Sequence, residues 1–312
     1  MKILEVKGVS KKYDKKQVLT NISFDIEEGD IFGLIGPNGA GKSTLINIIT
    51  GILEPLSGEV FIGGYSIKKE AIKAKRIMGL VPQEIALSEE ISAKDNLEFF
   101  GSLYGLYGKK LKLAVGEALE LAGISDKKKE IVKKFSSGMK RRLNLAAAIM
   151  HKPRLLVLDE PTVGVDPQSR NSIFEYLRTV NREAETSILY TSHYMEEVEE
   201  FCKNIFIIDE GREIASGSLN AVKERTSHTV TVEIKVSEVF PELSDKLSLL
   251  DGALKVEDGL DFIKILYERK KMNLDEIIKT VQSSSVSIKM LKVNELNLGE
   301  VFLQLTGKKL RE

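Results

Sequence analysis

The sequence predicts an α/β fold for about its first 225 residues, a mostly parallel sheet wrapped by helices, followed by a small α+β domain. Three observations predict it. Short apolar, β-rich runs alternate with helix-period segments through the first part of the chain. The alternation pauses between Gln83 and Lys134, where helices and loops take over and point to an inserted helical subdomain. Around "KERTSHT" (Lys223–Thr229) the texture changes to strand-helix-strand-strand-helix-strand, the order of a ferredoxin-like module.

The elements follow in order. Strands are expected at Ile22–Ile26, Ile31–Ile35, Glu59–Ile62, Ile77–Val81, Leu155–Leu158, Ser187–Tyr190 and Ile205–Ile208, each a short apolar run bounded by polar or turn residues. Helices are expected at Lys42–Gly51, Asp95–Tyr104, Lys112–Ala122, Met139–Met150, Gln168–Asn181 and Met195–Phe201, where apolar residues recur at helical spacing. The last part reads as strands Val230–Val236, Ala253–Val256, Phe262–Tyr267 and Val286–Val293, helices Leu243–Leu250 and Leu274–Val281, and a closing amphipathic helix through "GEVFLQLTG". The expected domains are 1–225, with the helical subdomain at about 84–150, and 226–312.

Composition narrows the function classes. The 312 residues carry 46 Lys and Arg against 46 Asp and Glu, and this neutrality argues against a nucleic-acid surface. Cys202 is the single cysteine, so no intramolecular disulfide can form; Met1–Glu5 lacks the apolar core of a signal peptide, and a reducing compartment is expected. No apolar run approaches the roughly 18 residues that span a bilayer, so any membrane role is expected to come through a partner.

The strongest chemical signal is "LIGPNGAGKST", Leu34–Thr44, which holds G-x-x-x-x-G-K-S from Gly36 to Ser43 (Gly36, Pro37, Asn38, Gly39, Ala40, Gly41, Lys42, Ser43). An apolar strand runs into it and a helix runs out, the context that separates a phosphate-binding loop from an ordinary Gly-rich turn. The glycines let backbone N–H groups cradle a β-phosphate, Lys42 reaches the β- and γ-phosphates, and the Ser43 hydroxyl suits Mg²⁺. In "LLVLDEPTVGVDP" an apolar strand delivers Asp159 and Glu160 at its C-terminal end, where open α/β sheets bind ligands. Asp159 suits Mg²⁺ and Glu160 suits polarising water; a helix cap is the alternative for the pair. Gln83 in "LVPQE", His193 in "LYTSHYMEE" and Tyr13 in "KKYDKKQVL" are singletons: taken alone, they are a loop residue, a helix cap and a surface aromatic. In "FSSGMKRRLNLAAAIM", Lys140, Arg141 and Arg142 fall in the first turn of a helix, where cations are unfavourable by roughly 0.3–1 kcal/mol each. Either an anion sits near them or they pair with carboxylates of the same chain.

In company these motifs resemble the nucleotide-binding subunit of ABC transporters over about residues 1–225, and the fold expectation becomes a P-loop NTPase core of ABC ATPase type. In the family's order come an adenine-stacking aromatic (Tyr13), the phosphate loop (Gly36–Thr44), the Gln-loop (Gln83), the signature turn (Ser136–Met139), the magnesium and base carboxylates (Asp159, Glu160), the D-loop (Gly164, Val165, Asp166) and the switch histidine (His193). The resemblance implies that ATP and Mg²⁺ are bound, that Ser43, Gln83 and Asp159 serve the metal, and that Gln83 links the site to a membrane subunit. It also implies that His193 contacts the γ-phosphate. The family signature is Leu-Ser-Gly-Gly-Gln; here it is Phe135-Ser136-Ser137-Gly138-Met139, with Ser136 and Gly138 matching strictly. In the family this turn contacts the γ-phosphate held by the opposite subunit.

"SSGMKRRL", "TSHYMEEVE" and "GEVFLQLTG" are similar to ATPases of daunorubicin-resistance-type exporters. That similarity implies a separately encoded membrane permease, a homodimer or a heterodimer with a second ATPase subunit, and a place on the cytoplasmic face of the membrane. Residues 84–108 are the expected dock for the permease, with Ile91, Phe99, Phe100 and Tyr104 as its apolar and aromatic candidates, some of them expected to pack internally instead. The alternative is a soluble ABC ATPase acting on ribosomes or DNA, which a single cassette without sustained heptads disfavours.

Overall fold

The strands expected to share one sheet form two sheets of opposite character. The computed structural model describes residues 1–226, 228–237, 241–284, 286–294 and 296–307; the end of the expected C-terminal domain, 308–312, lies outside the described residues. The chain divides into two compact units, Met1–Leu219 and, among the described residues, 220–307.

In the first unit β1 (Lys2–Tyr13), β2 (Lys16–Glu27), β4 (Ser57–Ile62) and β5 (Tyr65–Ser66) form an antiparallel sheet in the order β2-β1-β4-β5. β2 alternates buried and exposed positions from Asn21 onward, as a strand with one wet face must. The second sheet joins β3 (Ile31–Ile35), β6 (Met78–Val81), β7 (Leu155–Asp159), β8 (Ser187–Ser192), β9 (Asn204–Asp209) and β10 (Arg212–Ser218) in the order β10-β9-β3-β8-β7-β6. All its pairings are parallel except β10 with β9. Its middle strands β3 and β8 are buried at every position, so neither shows the in-out alternation of a strand with one wet face. The expected strands at Ile22–Ile26 and Glu59–Ile62 therefore belong to the antiparallel sheet, not the parallel one. Pairing partners are set by tertiary contacts, and a five-residue apolar run does not encode them. β1 and β10 carry too many charged and small residues to stand out.

Helix α1 (Lys42–Ile49) buries Leu45, Ile46, Ile48 and Ile49 in a core shared with Val6 of β1, Phe24 of β2, Leu34 of β3 and Ile208 of β9. Each fully buried aliphatic contributes roughly 1.5–3 kcal/mol over exposure. Because both sheets grip it, the loop that starts α1 is held on a rigid base. The short α2 (Ala71–Arg76) precedes β6. Helices α3 (Ala93–Leu103), α4 (Gly108–Leu121) and α5 (Ser137–Ile149) have their own core of Leu97, Val115, Leu119, Val132, Leu143 and Ala147. Phe100 packs against that core and Tyr104 stacks on His151, ring centroids 3.5 Å apart, so these two turn inward while Ile91 and Phe99 stay exposed. The rest of the unit's helices are α6 (Pro167–Ala184) and α7 (Met195–Phe201); α8 (Leu219–Thr226) begins at the division.

The second unit contains β11 (Thr229–Val236), α9 (Pro241–Ser248), β12 (Ala253–Asp258), β13 (Phe262–Glu268), α10 (Leu274–Ser283), β14 (Ile288–Asn294) and α11 (Leu298–Thr306). Its antiparallel sheet runs β12-β13-β11-β14. Val230, Val232, Ile234 and Val236 alternate onto one face and meet Leu243, Leu247, Ile277 and Val281 of the two helices.

Candidate functional site

β3 delivers the chain into the Gly36–Gly41 loop, and the backbone there leaves room only for glycine at two places. A Cβ on Gly36 would lie 2.3 Å from the Ile208 carbonyl oxygen, and Gly41, the residue before α1, has φ +108°. No acidic side chain and no side-chain cap occupies the first turn of α1, so its N–H groups and positive dipole end face the cleft. Lys42 folds back under the loop: its Nζ donates to the Gly36 carbonyl at 2.7 Å and the Pro37 carbonyl at 3.2 Å. Burial lowers its pKa, while Glu160 and then Asp159 act in the opposite sense.

β7 ends at Asp159, and Glu160 follows with φ +47°, a left-handed conformation that a Glu adopts at a cost. The Glu160 N–H donates to Thr191 Oγ1 at 3.0 Å, which holds the turn. The Glu160 carboxylate then stands 4.0 Å from Lys42 Nζ and 3.3 Å from His193 Nδ1, and accepts a long hydrogen bond, 3.4 Å, from Gln83 Nε2. The neighbouring Asp159 turns elsewhere and accepts from Thr191 Oγ1 at 2.9 Å; burial raises its pKa. Neither acid caps a helix: α6 starts later, with Asp166 as its cap.

A cleft of about 540 Å³ is lined by Tyr13, Val18, Asn38, Gly39, Gly41, Lys42, Ser43, Thr44, Gln83, Glu160, Val163 and His193. The expected residues Gly36, Pro37, Ala40 and Asp159 are not among the lining residues. Ser136, Ser137 and Gly138 do not line it. Ser136 caps α5, its Oγ accepting from the Met139 N–H at 3.3 Å, and Gly138 abuts α6, where a Cβ would come 2.6 Å from Ser169 Oγ. The three cations behind the turn all find partners within the chain. Lys140 pairs with Glu89, Arg141 donates to the Pro82 and Gln83 carbonyls at 3.0 and 2.8 Å, and Arg142 donates to the Ala122 carbonyl at 2.8 Å.

The oxygens of Ser43, Gln83 and Asp159 are hard donors of the kind Mg²⁺ takes. Among the described residues no group of three or more His, Cys, Asp or Glu forms a metal cage. A small hard cation completed by phosphates and water fits that donor set. The sequence did not single out Thr191 or Glu197. Only Glu197 left a trace, as an acid on the helix turn shared by buried Met195, Val198 and Phe201.

The ABC transporter family model matches residues 19–163. The linearmycin resistance ATP-binding protein LnrL of Bacillus subtilis is 42% identical over 99% of this chain and 100% of its own length. This chain belongs to the ABC transporter family. It is an ATP-binding and ATP-hydrolysing subunit of a transport system. The daunorubicin resistance ATP-binding protein DrrA3 of Streptomyces coeruleorubidus is 30% identical, over 97% of this chain and 96% of that protein. The relatives thus establish the ABC ATPase without singling out the daunorubicin branch. A dimeric ATP-binding cassette in a post-hydrolysis state, bound to ADP and Pi, superimposes with a TM-score of 0.64 at 25% identity, covering 69% of this ABC ATPase and 98% of that chain.

Proposed function

We propose that this ABC ATPase is the motor of a resistance-type exporter. It dimerises, with itself or with a second ATPase subunit, around two ATP and drives a separately encoded permease from the cytoplasmic face of the membrane. The resistance relatives and the dimeric cassette support this reading. Among the described residues no helix is long and apolar enough to cross a membrane, so the crossing falls to a partner. The exposed Ile91 and Phe99 in 84–108 are the permease dock, and 226–312 is an accessory domain.

One observation carries the chemistry: the Glu160 carboxylate sits between Lys42 and His193 at the mouth of the phosphate loop. Tyr13 stacks on adenine, and the Gly36–Thr44 amides with Lys42 hold the phosphates. Glu160 accepts a hydrogen bond from the attacking water and aligns it with the γ-phosphorus, while Lys42 and His193 donate to the charge that develops on the transferring group. Ser43, Gln83 and Asp159 would hold Mg²⁺, which would supply positive charge to neutralise the phosphates. Ser136, Ser137 and Gly138 close the site of the opposite subunit.

Affinity capture of the tagged chain from solubilised membranes tests the transport assignment. A polytopic membrane protein should co-purify and change the rate of ATP turnover when reconstituted. Recovery of ribosomes in its place would contradict the proposal.

A further inference from the structure

One buried acid next to the site has no part in the chemistry above. Glu197 of α7 is 4% exposed, yet its Oε2 accepts three hydroxyl hydrogen bonds: from Tyr190 at 2.7 Å, and from Thr162 and Ser192 at 2.8 Å each. Its Oε1 lies 3.3 Å from Arg170 Nε, an ion pair rather than an aligned hydrogen bond. The donors belong to the segments that carry the reacting groups. Thr162 is two residues past Glu160. Tyr190 and Ser192 end the strand that delivers His193. Arg170 is on α6, with its guanidinium 5.5 Å over the Tyr194 ring. Ser192 is committed twice: its proton goes to Glu197 and its lone pair accepts the Tyr194 N–H at 2.9 Å, which shapes the turn holding His193.

We infer that Glu197 is a positioning residue, whose carboxylate ties the Glu160 segment and the His193 turn to one point and so sets the separation of those two groups. Three donors converging on one oxygen favour an acceptor there, because an apolar side chain would remove the acceptor of three buried hydroxyls and leave only the 3.3 Å contact between Thr162 and Tyr190 among them. Glu160 needs such a restraint, since its left-handed backbone persists only where the surroundings over-determine it. Gln can accept hydroxyl bonds but turns an amide N–H₂ or a neutral oxygen toward Arg170, so it restores the function in part. The inference rests on the roles given above to Glu160 and His193.

The test is steady-state ATPase and fluorescent-ATP titration on the purified full chain, with turnover expressed per nucleotide-binding site. Glu197→Ala should lower kcat about 10- to 100-fold, the scale of a misplaced reacting group. KM and Kd should stay within about threefold, because the phosphate cradle is untouched. Glu197→Gln should fall between Glu197→Ala and wild type. If Glu197 only stabilised the fold, melting would fall while kcat per binding site stayed at the wild-type value in both variants, and that result overturns the inference. Should Glu197→Ala fail to fold, Thr162→Val and Ser192→Ala each remove one donor; both should lose turnover several-fold at unchanged Kd, and wild-type kcat in both overturns it equally. Glu160→Gln and His193→Ala in the same assay judge the underlying site assignment, which fails on its own if those two turn over ATP normally.

Discussion

Glu160 and Lys42 line one cleft, and the proposed mechanism gives them separable tasks, one toward the water and the other toward the phosphates. Glu160→Gln keeps the cradle, so it should bind ATP and hydrolyse it at least about 100-fold more slowly than wild type. Lys42→Ala removes a charge-assisted donor worth roughly 1.5–3 kcal/mol, so its affinity should drop on the order of tenfold or more. ATP titration together with phosphate release separates the two, and near-normal hydrolysis by Glu160→Gln would reassign the base. His151 offers a second residue-scale test. Burial pushes its pKa down to about 4, and its Nε2 lies 3.0 Å from the Met78 carbonyl. An unfolded His titrates near 6.5, so below that pH the unfolded chain takes up a proton that the folded chain refuses. The His151 contribution is present above about 6.5 and lost as pH falls toward 4. In urea unfolding, the difference between wild type and His151→Phe, which keeps an aromatic against Tyr104, should shift in favour of Phe across that window. A pH-independent difference would contradict this.

At the scale of elements, local pattern carried far and then stopped. β3 and β7 were legible because strands buried on both faces leave unbroken apolar runs, and the loop between β3 and α1 because its chemistry demands Gly, Lys and Ser at fixed spacing. The antiparallel sheet was not legible, since β1 pairs with β4 across more than forty residues and its charged residues point to solvent. Nor was the Glu197 cluster, because the turn after β7 that carries Thr162 and the end of β8 that carries Tyr190 and Ser192 meet Glu197 only in the fold. The helical subdomain shows the same limit, as apolar residues on α3 look alike in sequence while Phe100 faces the core and Phe99 is 56% exposed. Phe100→Glu should therefore lower the melting temperature, by about 2–4 °C per kcal/mol in a chain of this kind. Phe99→Glu should melt normally and lose co-purification with the permease. Retained co-purification in a folded Phe99→Glu would remove that surface from the dock.

For the whole molecule, the cations Lys140, Arg141 and Arg142 are held within their own chain, Lys140 by the Glu89 carboxylate and the two arginines by backbone carbonyls. What remains outward is the turn itself, with Ser136 and Ser137 exposed at the start of α5 and away from the chain's own cleft. In the proposed function, the phosphate loop and this turn close on one nucleotide when a second subunit supplies the turn. Asn38 and Ser137 are both exposed, so Asn38→Cys and Ser137→Cys can be placed in separate proteins. Cys202 is buried and burial pushes its thiol pKa well up, which leaves it unreactive; Cys202→Ala removes it without stranding a hydroxyl in its place. The decisive measurement mixes the two proteins in a Glu160→Gln background, with and without ATP, and adds a short thiol cross-linker that tolerates separations beyond the roughly 7 Å Cα limit of a disulfide. The account predicts an ATP-dependent species of twice the monomer mass in the mixture and far less in either protein alone. Cross-linking of Asn38→Cys to Ser137→Cys within a single doubly substituted chain, with no dimer in the mixture, would contradict it.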